Sequence, residues 1–137
     1  MDTDSGVVPL RSSIAPWLTV HHSAEGIEFY KKAFDAVEVF RLDGGGSGDI
    51  ARLSINSAEF WVGGESAQHF NFSPKALGGS TVRIIFTVAD PDTVFSRAIQ
   101  AGASPVYRVH DEHGWRLGRV VDPYGHHWEI GRPLAMR

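Results

Sequence analysis

The sequence predicts an α+β fold of two βαβββ modules, residues 14–64 and 81–132, whose strands form a curved mixed sheet around a cup with the helices on the outer face. Three observations predict this fold. The 137 residues, 42% of them hydrophobic, suffice for one domain with its own core. The order strand, helix, three strands occurs twice. FYKKAFDAVEVFR (from Phe29) and VFSRAIQAGASPVYR (from Val94) occupy matching places, offset by roughly 65 to 68 residues, as in a duplicated unit.

The first module contains one helix and four strands. Apolar residues recur at helical spacing after Ser23, a suitable N-cap, so a helix is expected over 24–34. Pro16 lies inside the first apolar run and favours a strand end or an edge strand. The glycine-rich segment 43–49 is a hairpin loop, and 63–79 is a long connection without periodicity. The strands are expected over 14–20, 37–42, 50–55 and 59–62.

The second module repeats this order. Asp90 or Asp92 caps a helix over 92–101, and Gly102 ends that helix. The strands are expected over 81–88, 106–109, 118–121 and 126–130.

The module ends in GWRLGRVVDPYGHHWEI (residues 114–130), which predicts a strand, a tight turn and a strand. The DPYG segment, 122–125, has proline second and glycine fourth, as type I turns do. In the last strand, alternation places His127 and Glu129 on one face, opposite Trp128. A carboxylate beside a histidine can bind metal, move a proton or form a salt bridge.

Composition excludes several functions. The chain has no cysteine, so disulfides, thiolate ligands and cysteine nucleophiles are absent. The net charge of −3 gives no reason to expect nucleic acid or an anionic membrane as a partner. No apolar run approaches the roughly 20 residues of a membrane span, and the start lacks the features of a signal peptide. We expect a cytoplasmic protein with a flexible tail over 1–13.

The duplicated βαβββ pattern, with FYKKAF after the first strand and RVVDPYGHHWEI at the end, resembles the vicinal oxygen chelate superfamily, over about residues 14–132. That group includes glyoxalase I, extradiol dioxygenases, fosfomycin-modifying enzymes and bleomycin-binding resistance proteins. The final motif is most similar to the phosphonate-operon-associated (PhnB-like) branch, which usually reads GDR-x-G-x-x-x-DPFGHRWEI there. The resemblance implies a homodimer with cups built from both chains. It leaves the activity open, because this scaffold carries many functions.

Catalytic members of that superfamily hold a divalent metal with four cavity-facing side chains, usually histidine or glutamate. By strand register the matching positions here are Pro16, Trp61, Arg83 and Glu129, and only Glu129 is a ligand type. One protein ligand cannot hold the ion, since even catalytic zinc sites keep three. The seven histidines also do not converge along the predicted strands. We therefore expect no metal and no other cofactor.

Two interpretations of Arg83 and Glu129 stay open. They form a buried ion pair where the metal would lie, or they recognise a polar substrate group by charge-assisted hydrogen bonds. Aromatic residues, with Tyr107 and Phe72 among them, are expected to line the cup. Trp115 stands where the branch has the aspartate of its GDR sequence, and Arg116 matches the arginine. The predicted ligand-binding residues are Trp61, Arg83, Glu129, Trp115, Arg116 and Phe70.

Two functions are favoured. The first is a metal-free small-molecule-binding protein of the bleomycin-resistance kind, which holds an aromatic or planar ligand in the cup. The alternative is a small lyase, isomerase or dioxygenase-like enzyme of the superfamily, with Glu129 as ligand or acid/base and His127 as a further catalytic candidate. A third possibility is a partner-binding domain with a filled cup.

Overall fold

The computed structural model describes residues 9–135, so most of the predicted tail, residues 1–13, lies outside the described residues. No helix in this described range is long and apolar enough to cross a membrane. Between residues 64 and 83 the chain forms a short 3-10 turn, Ala67–His69. In chain order the elements are β1 (Trp17–Val20), α1 (Ser23–Phe34), β2 (Val37–Leu42), β3 (Ile50–Ile55), β4 (Ala58–Gly64), α2 (Pro74–Leu77), β5 (Arg83–Thr87), α3 (Pro91–Ala101), β6 (Ser104–Glu112), β7 (Trp115–Val121) and β8 (His127–Pro133).

The strands form two four-stranded sheets with the same connectivity. The strand order is β1-β4-β3-β2 in the first sheet and β5-β8-β7-β6 in the second. In each sheet the first and last strands of the module pair in parallel, and the other neighbours pair antiparallel. The predicted fold class is confirmed: the chain is α+β and consists of two βαβββ modules.

The N-cap predicted for the first helix is wrong. Helix α1 begins at Ser23 itself, with His22 at the cap position and no side-chain cap hydrogen bond. The Ser23 hydroxyl instead donates to the carbonyl oxygens of Ser47 (2.9 Å) and Gly46 (3.2 Å) in the glycine-rich loop. The Ala24 N–H also donates to the Gly46 carbonyl, at 2.9 Å. A distant loop therefore satisfies the free N–H groups of the first turn, which normally need a cap.

Helix α3 has the cap that the sequence predicts. Asp90 accepts hydrogen bonds from the backbone N–H of Thr93 (3.3 Å) and from its hydroxyl (2.7 Å). Pro91 takes the first helical position, where its missing N–H costs nothing. Gly102 ends the helix with φ of 125°, a left-handed conformation that favours glycine.

Strand boundaries differ from the prediction at both ends of the chain. β1 begins one residue after Pro16, which has no N–H to pair and offers only its carbonyl, to the Trp61 N–H at 2.9 Å. β6 extends through most of the polar VHDEHG segment, and β7 begins directly after that segment, so both strands are longer than the predicted ranges 106–109 and 118–121. β6 is the edge strand of its sheet and is largely exposed, so it needs no alternation of apolar and polar residues.

One hydrophobic core lies between the two modules. The ring centre of Trp128, on β8, lies 4.5 Å from Phe34 and 5.6 Å from Tyr30, both on α1. It also lies 5.5 Å from Phe60 on β4. Aromatic pairs at such distances contribute about 0.5–1.5 kcal/mol beyond their buried area. The first module's helix therefore packs against the last strand of the second module.

The Asp122 carboxylate fixes the turn before β8. It is 3% exposed and accepts hydrogen bonds from the Tyr30 hydroxyl (2.5 Å) and the Trp128 indole N–H (3.0 Å). It also accepts from the backbone N–H groups of Tyr124 (2.9 Å) and His126 (3.0 Å). Burial, followed by the nearby Asp122 charge, raises the pKa of Tyr30, which keeps its hydroxyl protonated as a donor. One carboxylate thus joins α1 to the β7–β8 turn.

Replacing this carboxylate should destabilise the fold strongly. In Asp122→Ala the Tyr30 hydroxyl and the Trp128 N–H are buried without their acceptor, which should cost roughly 3 kcal/mol or more. Urea unfolding followed by circular dichroism measures the loss. Asp43→Ala, in the exposed loop, is the control and should cost less than about 1 kcal/mol. Equal losses in the two variants would contradict the role given to Asp122.

Candidate functional site

The sheet face of the first module that points away from the core carries a row of aromatic side chains. We call this row the first open face: Trp17, Trp61, Arg52 and Phe40, in register on β1, β4, β3 and β2. The rings of Trp17 and Trp61 are stacked, with centres 6.1 Å apart, and Phe40 meets Trp61 edge-on at 5.9 Å. Trp17 is 42% exposed and Phe40 is 41% exposed. Contiguous aromatic surface open to solvent is typical of a binding surface.

Arg52 and Gly63 contact the two tryptophan rings of the first open face. The Arg52 guanidinium carbon lies 5.5 Å from the Trp61 ring centre, within the range of a cation–π contact. Gly63, on β4 and paired with Thr19 of β1, leaves room for the Trp17 ring, because a Cβ at residue 63 would overlap that ring. The observed position of the Trp17 ring therefore depends on a glycine at residue 63.

The matching face of the second module is charged. The second open face consists of Ile85, Glu129, Arg119 and Tyr107, in register on β5, β8, β7 and β6, with Arg83 and His127 in the adjacent row. The Tyr107 hydroxyl donates to Glu129 at 3.4 Å. Burial and then the Glu129 charge raise the pKa of Tyr107, so the phenol stays protonated.

The two open faces occupy the same positions of the duplicated module. Arg119 follows Arg52 by 67 residues, and Glu129 follows Trp61 by 68. Arg52 pairs with Trp61 on the neighbouring strand, and Arg119 pairs with Glu129 in the same way. Both modules therefore have an arginine at this position. The residue that pairs with it is a tryptophan, Trp61, in the first module and a glutamate, Glu129, in the second.

Arg83 and Glu129 form an ion pair at the border of the second open face. The Arg83 Nη1 lies 3.3 Å from the Glu129 Oε1, and the side chains are 49% and 19% exposed. The guanidinium is thus half in solvent, unlike that of a fully buried bridge. Solvent screening weakens such a pair. Of the two interpretations left open by the sequence, the half-exposed Arg83 does not fit a fully buried ion pair, and recognition of a substrate group stays a prediction.

His127 lies beside Arg119 on the neighbouring strand. The Arg119 Nε donates to the His127 Nδ1 at 3.2 Å, so Nδ1 is the acceptor and the ring proton lies on Nε2. Burial and then the Arg119 charge lower the pKa of His127. The imidazole is therefore neutral near pH 7.

The four positions of the superfamily's metal site do not fit a metal here. The register places Trp17, not Pro16, next to Trp61 on the open face. Neither tryptophan can ligate, and the one carboxylate, Glu129, is already bound by Arg83. Among residues 9–135, no three histidine, aspartate or glutamate side chains are grouped so that they could hold a metal ion. The expected absence of a metal stays a prediction.

The remaining predicted ligand-binding residues, Trp115, Arg116 and Phe70, do not belong to either open face. Trp115 begins β7 and pairs with Pro133 of β8. Arg116 is exposed toward α3, where its guanidinium binds the Asp92 carboxylate at 2.8 Å through two nitrogens. Phe70 follows the 3-10 turn with φ of 61° and is 84% exposed. Their roles in ligand binding stay predictions.

Sequence reasoning missed five residues of the open faces: Trp17, Arg52, Phe40, Ile85 and Arg119. Arg52 and Arg119 lie opposite the predicted Trp61 and Glu129, and Trp17 stacks on Trp61. The two arginines could have been found from the sequence, because they are 67 residues apart and the duplicated modules are offset by roughly 65 to 68 residues. Trp17 was missed because the first strand was aligned one residue too early.

Residues 17–131 match the model of a family described as a glyoxalase-like domain. An uncharacterized protein of Mycobacterium tuberculosis is 39% identical to this chain over 136 residues, which cover 96% of the chain and 80% of that protein. The match therefore extends over nearly all the residues that form the two modules.

Solved structures share the fold. A glyoxalase/bleomycin resistance protein/dioxygenase family enzyme of Burkholderia phytofirmans superimposes with a TM-score of 0.72 at 17% identity, over 90% of this chain and all of that one. The fosfomycin resistance protein FosX of Listeria monocytogenes, complexed with Mn(II) and sulfate, gives a TM-score of 0.66 at 14% identity, over 90% and 93% of the two chains.

The Arg83–Glu129 pair should contribute little to stability. Because Arg83 is half exposed, Glu129→Gln should lower the free energy of unfolding by about 1 kcal/mol or less. The double variant Arg83→Met with Glu129→Leu should then recover little. Urea unfolding of both variants measures this. A loss of roughly 3–5 kcal/mol in Glu129→Gln that the double variant largely restores would identify a buried structural bridge instead.

Proposed function

Because the chain belongs to the glyoxalase-like domain family, within the glyoxalase/bleomycin resistance/dioxygenase superfamily, we propose that it is a metal-free small-molecule-binding protein that holds an aromatic or planar ligand. The observation that carries this proposal is the first open face. Trp17 and Trp61 lie almost parallel, at an interplanar angle of 16°, and Trp17 keeps 42% of its surface exposed while Trp61 is half-buried. A planar ligand that stacks there buries apolar area on a preformed surface.

The ligand cup is shared by two chains. The buried faces of both sheets pack on the common core, so the two open faces of one chain point away from that core. In a dimer with a two-fold axis, the first open face of each chain meets the second open face of the other chain. Such a dimer therefore contains two equivalent cups. It also covers apolar residues that one chain leaves exposed, such as Val37 (61%) and Ile85 (56%).

The alternative function is a small enzyme that uses Glu129 as ligand or as acid/base. The observation that favours it is the cluster around this carboxylate: the neutral imidazole of His127 and the protonated hydroxyl of Tyr107 lie on the same face. Such a set can move protons on a bound substrate without a metal. Within residues 9–135 no group of three ligand side chains could hold a metal ion, which disfavours for this chain a site like the one that binds Mn(II) in the FosX structure.

Finer assignments stay predictions. The terminal motif favours the phosphonate-operon-associated branch, while the matched family is described only as a glyoxalase-like domain. A cytoplasmic location, and the absence of nucleic acid and membrane partners, rest on the sequence alone.

Binding of a planar dye tests the proposed function. We expect saturable binding of N-phenyl-1-naphthylamine, or of its sulfonated form 8-anilinonaphthalene-1-sulfonate, with quenching of tryptophan fluorescence. Trp61→Ala removes the stacking surface and should weaken binding at least tenfold, about 1.4 kcal/mol. Trp61→Phe keeps an aromatic ring and is the matched control. If neither dye binds saturably, or if Trp61→Ala binds as the native protein does, the proposal is wrong.

Metal analysis tests the metal-dependent form of the alternative function, in which Glu129 is a ligand. As-isolated protein should contain well under one equivalent of zinc, nickel, iron or manganese, and a chelator should leave its melting temperature unchanged, because a true site couples metal binding to stability. Stoichiometric metal that disappears in Glu129→Gln would support the enzyme and contradict the metal-free proposal.

The shared cup requires a homodimer. Light scattering at micromolar concentration should give the mass of two chains, since each chain alone exposes both open faces. Phe40→Glu places a charge on the first open face and should shift the protein toward the monomer. A monomer mass for the native chain would contradict the shared cup.

A further inference from the structure

We propose that the second open face is an oxyanion subsite, so that the ligand is an aromatic acid with one negative charge; this inference rests on the proposed function. The first open face would take the planar body of the ligand, and Arg83 and Arg119 would take its carboxylate or sulfonate group.

The charges of the second open face leave an excess of one positive charge. In the three rows across the middle of this sheet, Glu129 is the only acidic residue of the open side, and Arg83 and Arg119 flank it from the strands on either side of β8. His127 and Tyr107 are neutral near pH 7. His110, in the row of Leu117, lies 2.6 Å from the Glu112 carboxylate, so this pair adds no net positive charge. A ligand with one negative charge balances the face, whereas a neutral ligand leaves a partly desolvated cation without a counterion.

Both guanidinium groups keep donors for a ligand. Arg83 contacts Glu129 through Nη1, and Arg119 donates to His127 through Nε. Within residues 9–135, the two terminal nitrogens of Arg119 make no hydrogen bond, and Arg83 makes no hydrogen bond besides its contact with Glu129. Guanidinium groups present paired donors that match the two oxygens of a carboxylate.

Glu129 does not exclude an anion from this face. Its carboxylate already lies beside Arg83 and accepts from the Tyr107 hydroxyl. Glu129 thus pairs with Arg83 of β5. Arg119, on β7 at the other side of Glu129, is the cation of this face that has no acidic partner among the described residues. The first open face has no such excess, because Arg52 lies 3.5 Å from Glu59.

Two dyes that differ only in charge test the inference. 8-Anilinonaphthalene-1-sulfonate is N-phenyl-1-naphthylamine with an added sulfonate, so both present the same aromatic body. The native protein should bind the sulfonate at least tenfold more tightly. Arg119→Met and Arg83→Met should each weaken sulfonate binding at least tenfold, about 1.4 kcal/mol, and change binding of the neutral dye less than twofold. Arg97→Met, an arginine on α3 of similar exposure (47% against 49% for Arg83), is the control and should change neither.

The outcomes distinguish this inference from the function on which it rests. If both dyes bind with equal affinity, or if the Arg119 and Arg83 variants weaken both equally, the oxyanion subsite is wrong while the aromatic cup stands. If neither dye binds, the aromatic cup itself is contradicted. Urea midpoints of the variants within the error of the native value confirm that lost binding is not lost folding, and both arginines are exposed enough to allow this.

Discussion

The rest of the structure depends on one buried carboxylate. Asp122 accepts hydrogen bonds from α1 through Tyr30, from β8 through Trp128 and from two amides of the turn between β7 and β8. These bonds set where β8 begins and which of its faces is buried. Since side chains alternate along a strand, a shift of one residue would turn Glu129 into the core and Trp128 into solvent. The position of the candidate site therefore follows from a structural contact on the opposite side of the sheet.

This packing leaves each module with one open face, and the two faces have diverged. The first is aromatic and the second is charged, although both keep an arginine at the same position, Arg52 and Arg119. In the duplicated unit, Trp61 and Glu129 are equivalent. Neither face alone encloses a ligand, and the proposed two-fold dimer would pair one face of each kind in each of two cups. The proposed roles of the two faces, stacking for the first and charge recognition for the second, follow from this divergence.

Much of the fold could be predicted from local signals, because the relevant partners lie close in sequence. The DPYG turn and the Asp90 cap depend on residues within a few positions of each other. The cap of α1 could not be predicted, since a loop more than twenty residues away supplies it to Ser23. In the candidate site, Trp61 and Glu129 were found from the family pattern, but that pattern assigned Arg83 to the position in register with Glu129, which Ile85 occupies. The module offset from Arg52 is a sequence signal for Arg119, whereas the place of Arg119 beside Glu129 depends on strand register, which the order of residues alone does not reveal.

The most direct test of the shared cup is a mixing experiment with two defective chains. Trp61→Ala damages only the first open face, and Arg119→Met damages only the second. After the two variants are unfolded, mixed in equal amounts and refolded together, half of the dimers contain one chain of each kind and thus one intact cup. Titration with 8-anilinonaphthalene-1-sulfonate should then show native affinity in about a quarter of all cups. If each cup instead lay within one chain, the mixture would show no site of native affinity, and the account of a cup built from two chains would be wrong.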